Sequence, residues 1–328
     1  MKIWAGFGAG ADVRFEIMDM PVPKAGPGEL LIRVEAAGIN RVDQFPSLSH
    51  FRHSPPSLVP IPGLEVAGEI IDTGPGVEGY CDGERVAAMV QGGCAEFVRC
   101  NAALAIPLPD TMDWPSAAAL PVSYLTAHNA LFALGQLPAG GSVLVHAVTS
   151  GVGIAALQIA ARHGAALIAG SSTSAQKLER LRALGLQLAL ADPYNGFAVR
   201  LLEATGDKGV DVVLDNIGGV LLNETMSCTA IGGSVVNVGR FGGVSAEIDL
   251  NLHASRRLRL VGATFRTRSL DEHAGVVRAF LADHRDDLAS GALSPLIDSV
   301  FPFTDLPAAV ARSMNREQLG KIVVRMAH

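Results

Sequence analysis

Three scarcities mark this sequence. Only 5% of its 328 residues are aromatic, 18% are charged, and its four cysteines form no Cys-x-x-Cys pair. Unpatterned cysteines in a chain of this length argue against a disulfide framework, and Cys81, Cys94, Cys100 and Cys228 read as reduced thiols of a cytoplasmic protein. The net charge is −6, with no dense run of Lys or Arg. Nothing is there to displace counterions from phosphates, so nucleic acid is not an expected partner. The opening stretch MKIWAGFGAG carries one lysine and meets Asp12 before an apolar core has built up, which is not the pattern of a signal peptide. Charge is missing altogether from Trp114 to Ala161, a run long enough to invite a membrane reading. Pro115, Pro121, Pro138, Gly140 and Gly141 cut it into short pieces. A buried helix, a buried parallel strand and a second helix account for it without a membrane.

What is there is apolar and glycine-rich: 49% hydrophobic residues and 36 glycines. That hydrophobicity excludes disorder, and the length exceeds what one core usually fills, so two domains are expected. Leu30, Ile32 and Val34 alternate within ELLIRVE (29–35), the period of a half-buried strand. EVAGEIIDTG (65–74) and GERVAAMV (83–90) are further strands between turns. The stretch from Phe45 to Pro62 holds five prolines and no periodicity, as a substrate-side loop would. Past Pro121 the pattern changes. SVLVHAV (142–148), ALIAGS (166–171), VDVVLDNIGG (210–219) and GSVVNVG (233–239) read as short buried strands. Helical stretches at 154–164 and 175–185 close on Gly164 and Gly185. Strand–helix alternation in units of ~20–30 residues predicts an α/β fold with a parallel sheet and right-handed crossovers. After about residue 268 the pattern is mixed, ending in the strand-like KIVVRM (321–326).

The turn out of the strand at 142–148 reads Thr149-Ser150-Gly151-Val152-Gly153. Glycines there let backbone N–H groups approach a pyrophosphate, and the helix N-terminus adds favourable partial charge. As A-x-x-G-x-x-G the turn has Ala147 and Gly153 but Ser150 in place of the middle glycine. Alone the motif is weak; its place in a strand–turn–helix unit carries the dinucleotide reading. An NAD site usually ends its second strand on Asp or Glu, which holds the ribose 2′-hydroxyl. Here no acidic residue stands between Ala165 and Gln176, while Ser171, Ser172, Thr173 and Ser174 precede Lys177. Hydroxyls and an ammonium suit a 2′-phosphate, so NADPH is the expected cofactor.

AAGINRVD (36–43), PGLEVAGEI (62–70) and AALPVSYLTAHNAL (118–131) running into VLVHAVTSGVG (143–153) form a set with GATFRTRS (262–269) and GKIVV (320–324). Together they resemble the zinc-independent quinone oxidoreductases of the medium-chain dehydrogenase/reductase superfamily, especially the p53-inducible subgroup. The resemblance spans essentially the whole chain. It implies a GroES-like β-rich catalytic domain, residues 1–121 with a return at 267–328, and a Rossmann cofactor domain at 122–266. It also implies a homodimer, in which RLRLVGATF (257–265) is the edge strand that pairs with its twin. Zinc-dependent relatives carry Cys in the first motif and Gly-His-Glu in the second. Here Asn40 and Gly63-Leu64-Glu65 offer neither thiolate nor imidazole, so no zinc is expected. His50 and His53 have ligand-like spacing but no cysteine near them, and solvated loop histidines are expected there.

Carried over position by position, the resemblance places Asn40 and Asp43 beside the nicotinamide. The Asn40 NH₂ would donate to a developing oxyanion, while Asp43 orients the loop. Tyr124 is the third catalytic candidate, the acid if the reaction needs one; burial in an apolar helix accounts for it and for His128 without catalysis. Phe45 and Phe51 stand where relatives often have tyrosines, and with Phe241 and Phe265 they are expected to make an apolar, aromatic substrate pocket. The implied cofactor contacts are Asn40 and Thr126 at the nicotinamide, and Ser150, Gly151, Val152 and Gly153 at the pyrophosphate. Ser172, Lys177 and Tyr194 surround the adenosine phosphate. Asn216, Gly239, Arg240, Phe241, Thr264, Phe265, Arg266 and Arg316 complete the cleft. The expected activity is NADPH-dependent, metal-independent reduction of a quinone or activated enone. A 2-enoyl thioester or double-bond reductase is the alternative among enzymes. A weakly catalytic, crystallin-like NADPH-binding protein is the alternative outside them.

Overall fold

The computed structural model describes residues 1–54, 56–315 and 317–327. They divide into two units, Met1–Leu125 with Phe265–His328, and Thr126–Thr264. In the first unit β1 (Lys2–Phe7) and β2 (Arg14–Asp19) form an antiparallel hairpin. Then come β3 (Glu29–Ile39), β4 (Glu65–Thr73), β5 (Arg85–Met89), β6 (Phe97–Asn101) and β7 (Ala105–Pro107). The alternation of Leu30, Ile32 and Val34 is the core face of β3, buried with Val66, Ile70 and Val86. Register shifts between Leu31 and Ile32 and between Val34 and Ala36 are bulges, which bend a strand and increase its twist. α1 (Trp114–Ala118) and α2 (Pro121–Asn129) follow, with the Asp113 side chain capping α1 through the Ser116 N–H.

The second unit alternates without exception. Its elements are β8 (Ser142–Val145), α3 (Gly151–Arg162), β9 (Leu167–Ser172), α4 (Ala175–Leu181), β10 (Leu188–Ala191) and α5 (Phe197–Thr205). β11 (Val210–Asp215), α6 (Leu222–Ser227), β12 (Thr229–Asn237), α7 (Leu250–Arg256) and β13 (Arg259–Gly262) complete it. The strands pair in parallel in the order β10-β9-β8-β11-β12-β13. Winding therefore reverses between β8 and β11, and ligands of such sheets bind at the carboxyl ends of the strands beside that reversal. The charge-free run is explained by burial: Val143, Leu144 and Val145 of β8, and Ile154, Ala155, Ala156, Leu157, Ile159 and Ala160 of α3, are all inside. Among the described residues no helix is long and apolar enough to cross a membrane.

The chain then returns to the first unit through α8 (Leu270–Ala289), β14 (Ile297–Pro302), α9 (Leu306–Met314) and β15 (Lys321–Arg325). β15 pairs with the second half of β3, with Ile322 opposite Ile39, while β6 pairs with the first half. The mixed structure expected after residue 268 is there, and it opens on a 20-residue helix. Its start is a capping box, in which Ser269 and Glu272 satisfy each other's backbone N–H at 2.7 and 3.2 Å. The strand expected over 142–148 stops at Val145, and the helix after it begins at Gly151. The cause is Ala147, which turns the chain with φ at +50°.

Candidate active site

β3 runs out at Ile39, and the chain turns at Asn40 into a short helical turn, Arg41–Gln44. Asp43 closes that turn. Its Oδ2 accepts the Asn40 N–H at 2.6 Å, and its Oδ1 accepts the Gly63 N–H at 2.9 Å. Burial pushes the Asp43 pKa up to about 6, against the opposing effect of the two N–H groups and of Lys321. Glu65 and Lys321, the first residues of β4 and β15, meet beside it. Lys321 Nζ donates to Glu65 Oε1, to Asn40 Oδ1 at 2.9 Å and to the Ile39 carbonyl at 3.2 Å. Glu65 Oε1 also accepts from Asn40 Nδ2 at 2.9 Å, and its Oε2 accepts the Val122 N–H at 2.7 Å. Both side chains are buried, so the pair is desolvated, and its groups are met by hydrogen bonds.

This network uses up the Asn40 amide. Oδ1 faces Lys321, while Nδ2 donates to Glu65 and, at 3.4 Å, to the Gly38 carbonyl. An ion pair from two other strands thus holds both ends of the Asn40 amide. Tyr124 is buried, as its apolar helix leads one to expect: its ring is 1% exposed against Phe280, and burial drives its pKa further above the ordinary tyrosine value, so it keeps its proton.

These residues do not fit a catalytic zinc. Leu64 brings no ligand atom, the Asn40 oxygen is held by an ammonium, and that ammonium would repel a dication. Cys94, beside Gly63, is kept a thiol by burial and by the Asp43 charge, whereas metals bind the thiolate. Among the described residues no three His, Cys, Asp or Glu side chains cluster to hold a metal.

A small, open cleft lies on the Asp43 turn, walled by Phe45, Pro46, His50, Ile61, Leu64 and Gln91 among others. Gln91 stitches the proline-rich loop to it. Its Oε1 accepts the His50 N–H at 2.8 Å, and its Nε2 donates to the Leu48 carbonyl at 2.7 Å and to Ser57 Oγ at 3.2 Å. Phe45 is half exposed on the cleft wall; Phe51 is 1% exposed and stacks on His53 instead of lining it. His53 Nε2 lies 3.1 Å from Nδ1 of His273 on α8. The loop histidines are therefore not solvated side chains, because the loop folds back onto the start of α8. Burial pushes the pKa of His50 down to about 4 and of His273 to about 3, and lowers that of His53.

In the second unit the cofactor candidates stand at the carboxyl ends of the strands. Ser150 caps α3, its Oγ accepting the Gly153 N–H at 3.1 Å. The N–H groups of Gly151 and Val152 have no acceptor within the helix and can meet an anion. A Cβ on Gly153 would lie 2.6 Å from the Ala147 oxygen, so only glycine lets α3 sit this close to β8. At the end of β9, Ser171 is buried and bonded to His146 at 2.8 Å, while Ser172 Oγ accepts the Ser174 N–H at 3.2 Å. Ser174 caps α4 through the Lys177 N–H, and the Lys177 side chain is half-buried. Tyr194 is exposed after β10. Asn216, after β11, donates to the His146 carbonyl at 2.9 Å. Gly239 packs so close that a Cβ there would lie 2.3 Å from the Asn216 oxygen. Thr126 is half-buried on α2; Arg240, Phe241 and Thr264 are exposed. In the first unit Arg266 is exposed and Phe265 is buried against His273 at 4.7 Å. Arg316 lies outside the described residues. Sequence alone does not single out Lys321; its one sign is a lysine opening the otherwise apolar strand of GKIVV.

Two family descriptions match the chain: alcohol dehydrogenase GroES-like domain over residues 26–110 and zinc-binding dehydrogenase over 151–281. The quinone oxidoreductase of Rattus norvegicus is 32% identical over 293 residues, covering 87% of this chain and 84% of that protein. Among solved structures, CurK enoyl reductase is similar with a TM-score of 0.85 at 25% identity, covering 99% of each chain. A mycobacterial protein solved in complex with NADPH gives 0.84 at 27%, covering 99% of this chain and all of that one.

Proposed function

Because the chain belongs to the quinone oxidoreductase family of the medium-chain dehydrogenase/reductase superfamily, we propose that it reduces quinones and activated enones with NADPH and without a metal. The observation that carries the cofactor choice is the end of β9. It has Ser172, Thr173 and the capping Ser174 where an NAD site has a carboxylate, with Lys177 in the first turn of α4. When bound, NADPH supplies the hydride; the chain supplies binding and orientation. The Gly151 and Val152 N–H groups at the α3 terminus hold the pyrophosphate. The Glu65–Lys321 pair holds Asn40 and the Asp43 turn in place.

The likeness to CurK enoyl reductase across the chain favours a second reading, reduction of a 2-enoyl thioester. The deciding experiment follows NADPH oxidation with 1,4-naphthoquinone, 2-cyclohexenone and crotonyl thioester. Turnover of the first two above the thioester supports the proposal, and the reverse order selects the second reading. NADPH binding without turnover of any acceptor overturns both in favour of a cofactor-binding protein.

A further inference from the structure

A carbonyl oxygen that gains charge in the cleft beside Asp43 needs a hydrogen-bond donor, and the side-chain donors along that wall can be checked one by one. Asn40 is spent on Glu65 and Gly38. The Ser47 hydroxyl donates to the Ser49 carbonyl at 2.8 Å. Both hydrogens of the Gln91 amide go to Leu48 and Ser57. Phe45 has none, and Asp43 only accepts. One group remains. His50 lines the cleft, its backbone N–H is anchored on Gln91, and its ring stands edge-on to Phe51 at 4.9 Å and 85°. Among the described residues its two ring nitrogens make no hydrogen bond.

We infer that the His50 imidazole donates the hydrogen bond that receives the substrate's carbonyl oxygen, and that the open cleft takes the carbonyl edge of a flat conjugated compound beside Phe45 and Leu64. This rests on the reductase reading and adds the group that reading lacks once Asn40 is committed elsewhere. Burial and the charge of Arg266 keep the ring neutral, and a neutral imidazole presents one N–H and one bare nitrogen. During reduction a hydride brings two electrons to a ring carbon or β-carbon, and the conjugated π pair moves onto the carbonyl oxygen. The His50 N–H stabilises that charge without giving up its proton; the oxygen then takes a proton from water. Such a donor acts mainly in the transition state.

The test compares wild type with His50→Phe, which keeps the ring's contact with Phe51, and with His50→Gln, which restores an N–H donor. With 1,4-naphthoquinone, His50→Phe is expected to lose ~10²–10³ in kcat, with NADPH affinity unchanged within about threefold, the split that marks lost transition-state stabilisation. His50→Gln should recover roughly tenfold of that loss, a rescue that a packing role would not produce. Wild-type kcat in His50→Phe overturns the inference and leaves the reductase reading standing. If the wild type oxidises no NADPH with any acceptor, the reductase reading falls, and naphthoquinone binding by the NADPH-loaded protein decides the inference. Tighter binding to wild type than to His50→Phe supports it; equal binding, or none, overturns it.

Discussion

Asn40 holds its orientation through two charges brought from other strands. Lys321 and Glu65 lie 256 residues apart in the chain and are both buried where they meet. Lys321→Met strands the Glu65 carboxylate in the interior, and breaking a buried pair from one side costs ~3–5 kcal/mol. The melting midpoint of the catalytic unit should therefore fall by roughly 10 °C. Glu65→Gln together with Lys321→Met leaves no uncompensated charge and should restore most of the loss. Calorimetry on the two variants checks this, and an unchanged midpoint in Lys321→Met would remove the pair from the stability account. Asn40 and Asp43 were legible because they share one short motif, AAGINRVD. The amide's commitment was not, since no local pattern shows which lysine, far along the chain, reaches it.

The proline-rich loop and α8 form a latch whose strength depends on neutral imidazoles. The pKa of His273 is pushed down to about 3, that of His50 to about 4, and that of His53 is lowered too, chiefly by burial. A histidine depressed in the folded state contributes stability above its unfolded value of about 6.5; the contribution is lost as pH falls toward the folded pKa. Asp43, raised to about 6, works the other way between roughly pH 6 and 4, but it is one group against three. Acidification from pH 7 to 5 should therefore weaken the fold, and His273→Gln, which cannot titrate, should weaken less over the same range. Urea midpoints at both pH values test this; equal losses would exclude His273 as a source. The loop could be read as a loop from its prolines, but its latch could not, since α8 supplies half of it. The β9–α4 junction makes the second prediction at this scale. NADPH should bind at least tenfold tighter than NADH, ~1.4 kcal/mol, and Lys177→Ala should erase most of that gap while NADH binding stays put. Equal dissociation constants for the two cofactors in the wild type would defeat it.

At the scale of the molecule, the alternation of strand and helix past residue 121 was enough to anticipate a parallel sheet, because the first crossovers have their own apolar period and close on Gly164 and Gly185. Strand order was not readable from that alternation; the family resemblance placed only 257–265 at the sheet's end, and the structure gives the order as β10-β9-β8-β11-β12-β13. That order leaves β13 at an edge, paired on one side only among the described residues, with Leu260 39% exposed. An edge strand offers a row of free N–H and C=O groups, and an apolar one is suited to pair with its own copy about a two-fold axis. The expected assembly is a dimer in which two six-stranded sheets run on through β13 and its twin. Light scattering at micromolar concentration should report twice the chain mass. Leu260→Lys places a charge on the edge opposite its own copy and should give monomers while the fold survives; Val261→Pro, which removes an N–H, should do the same at a greater cost in stability. A wild-type monomer, or a Leu260→Lys variant that stays dimeric, would rule β13 out as the seam.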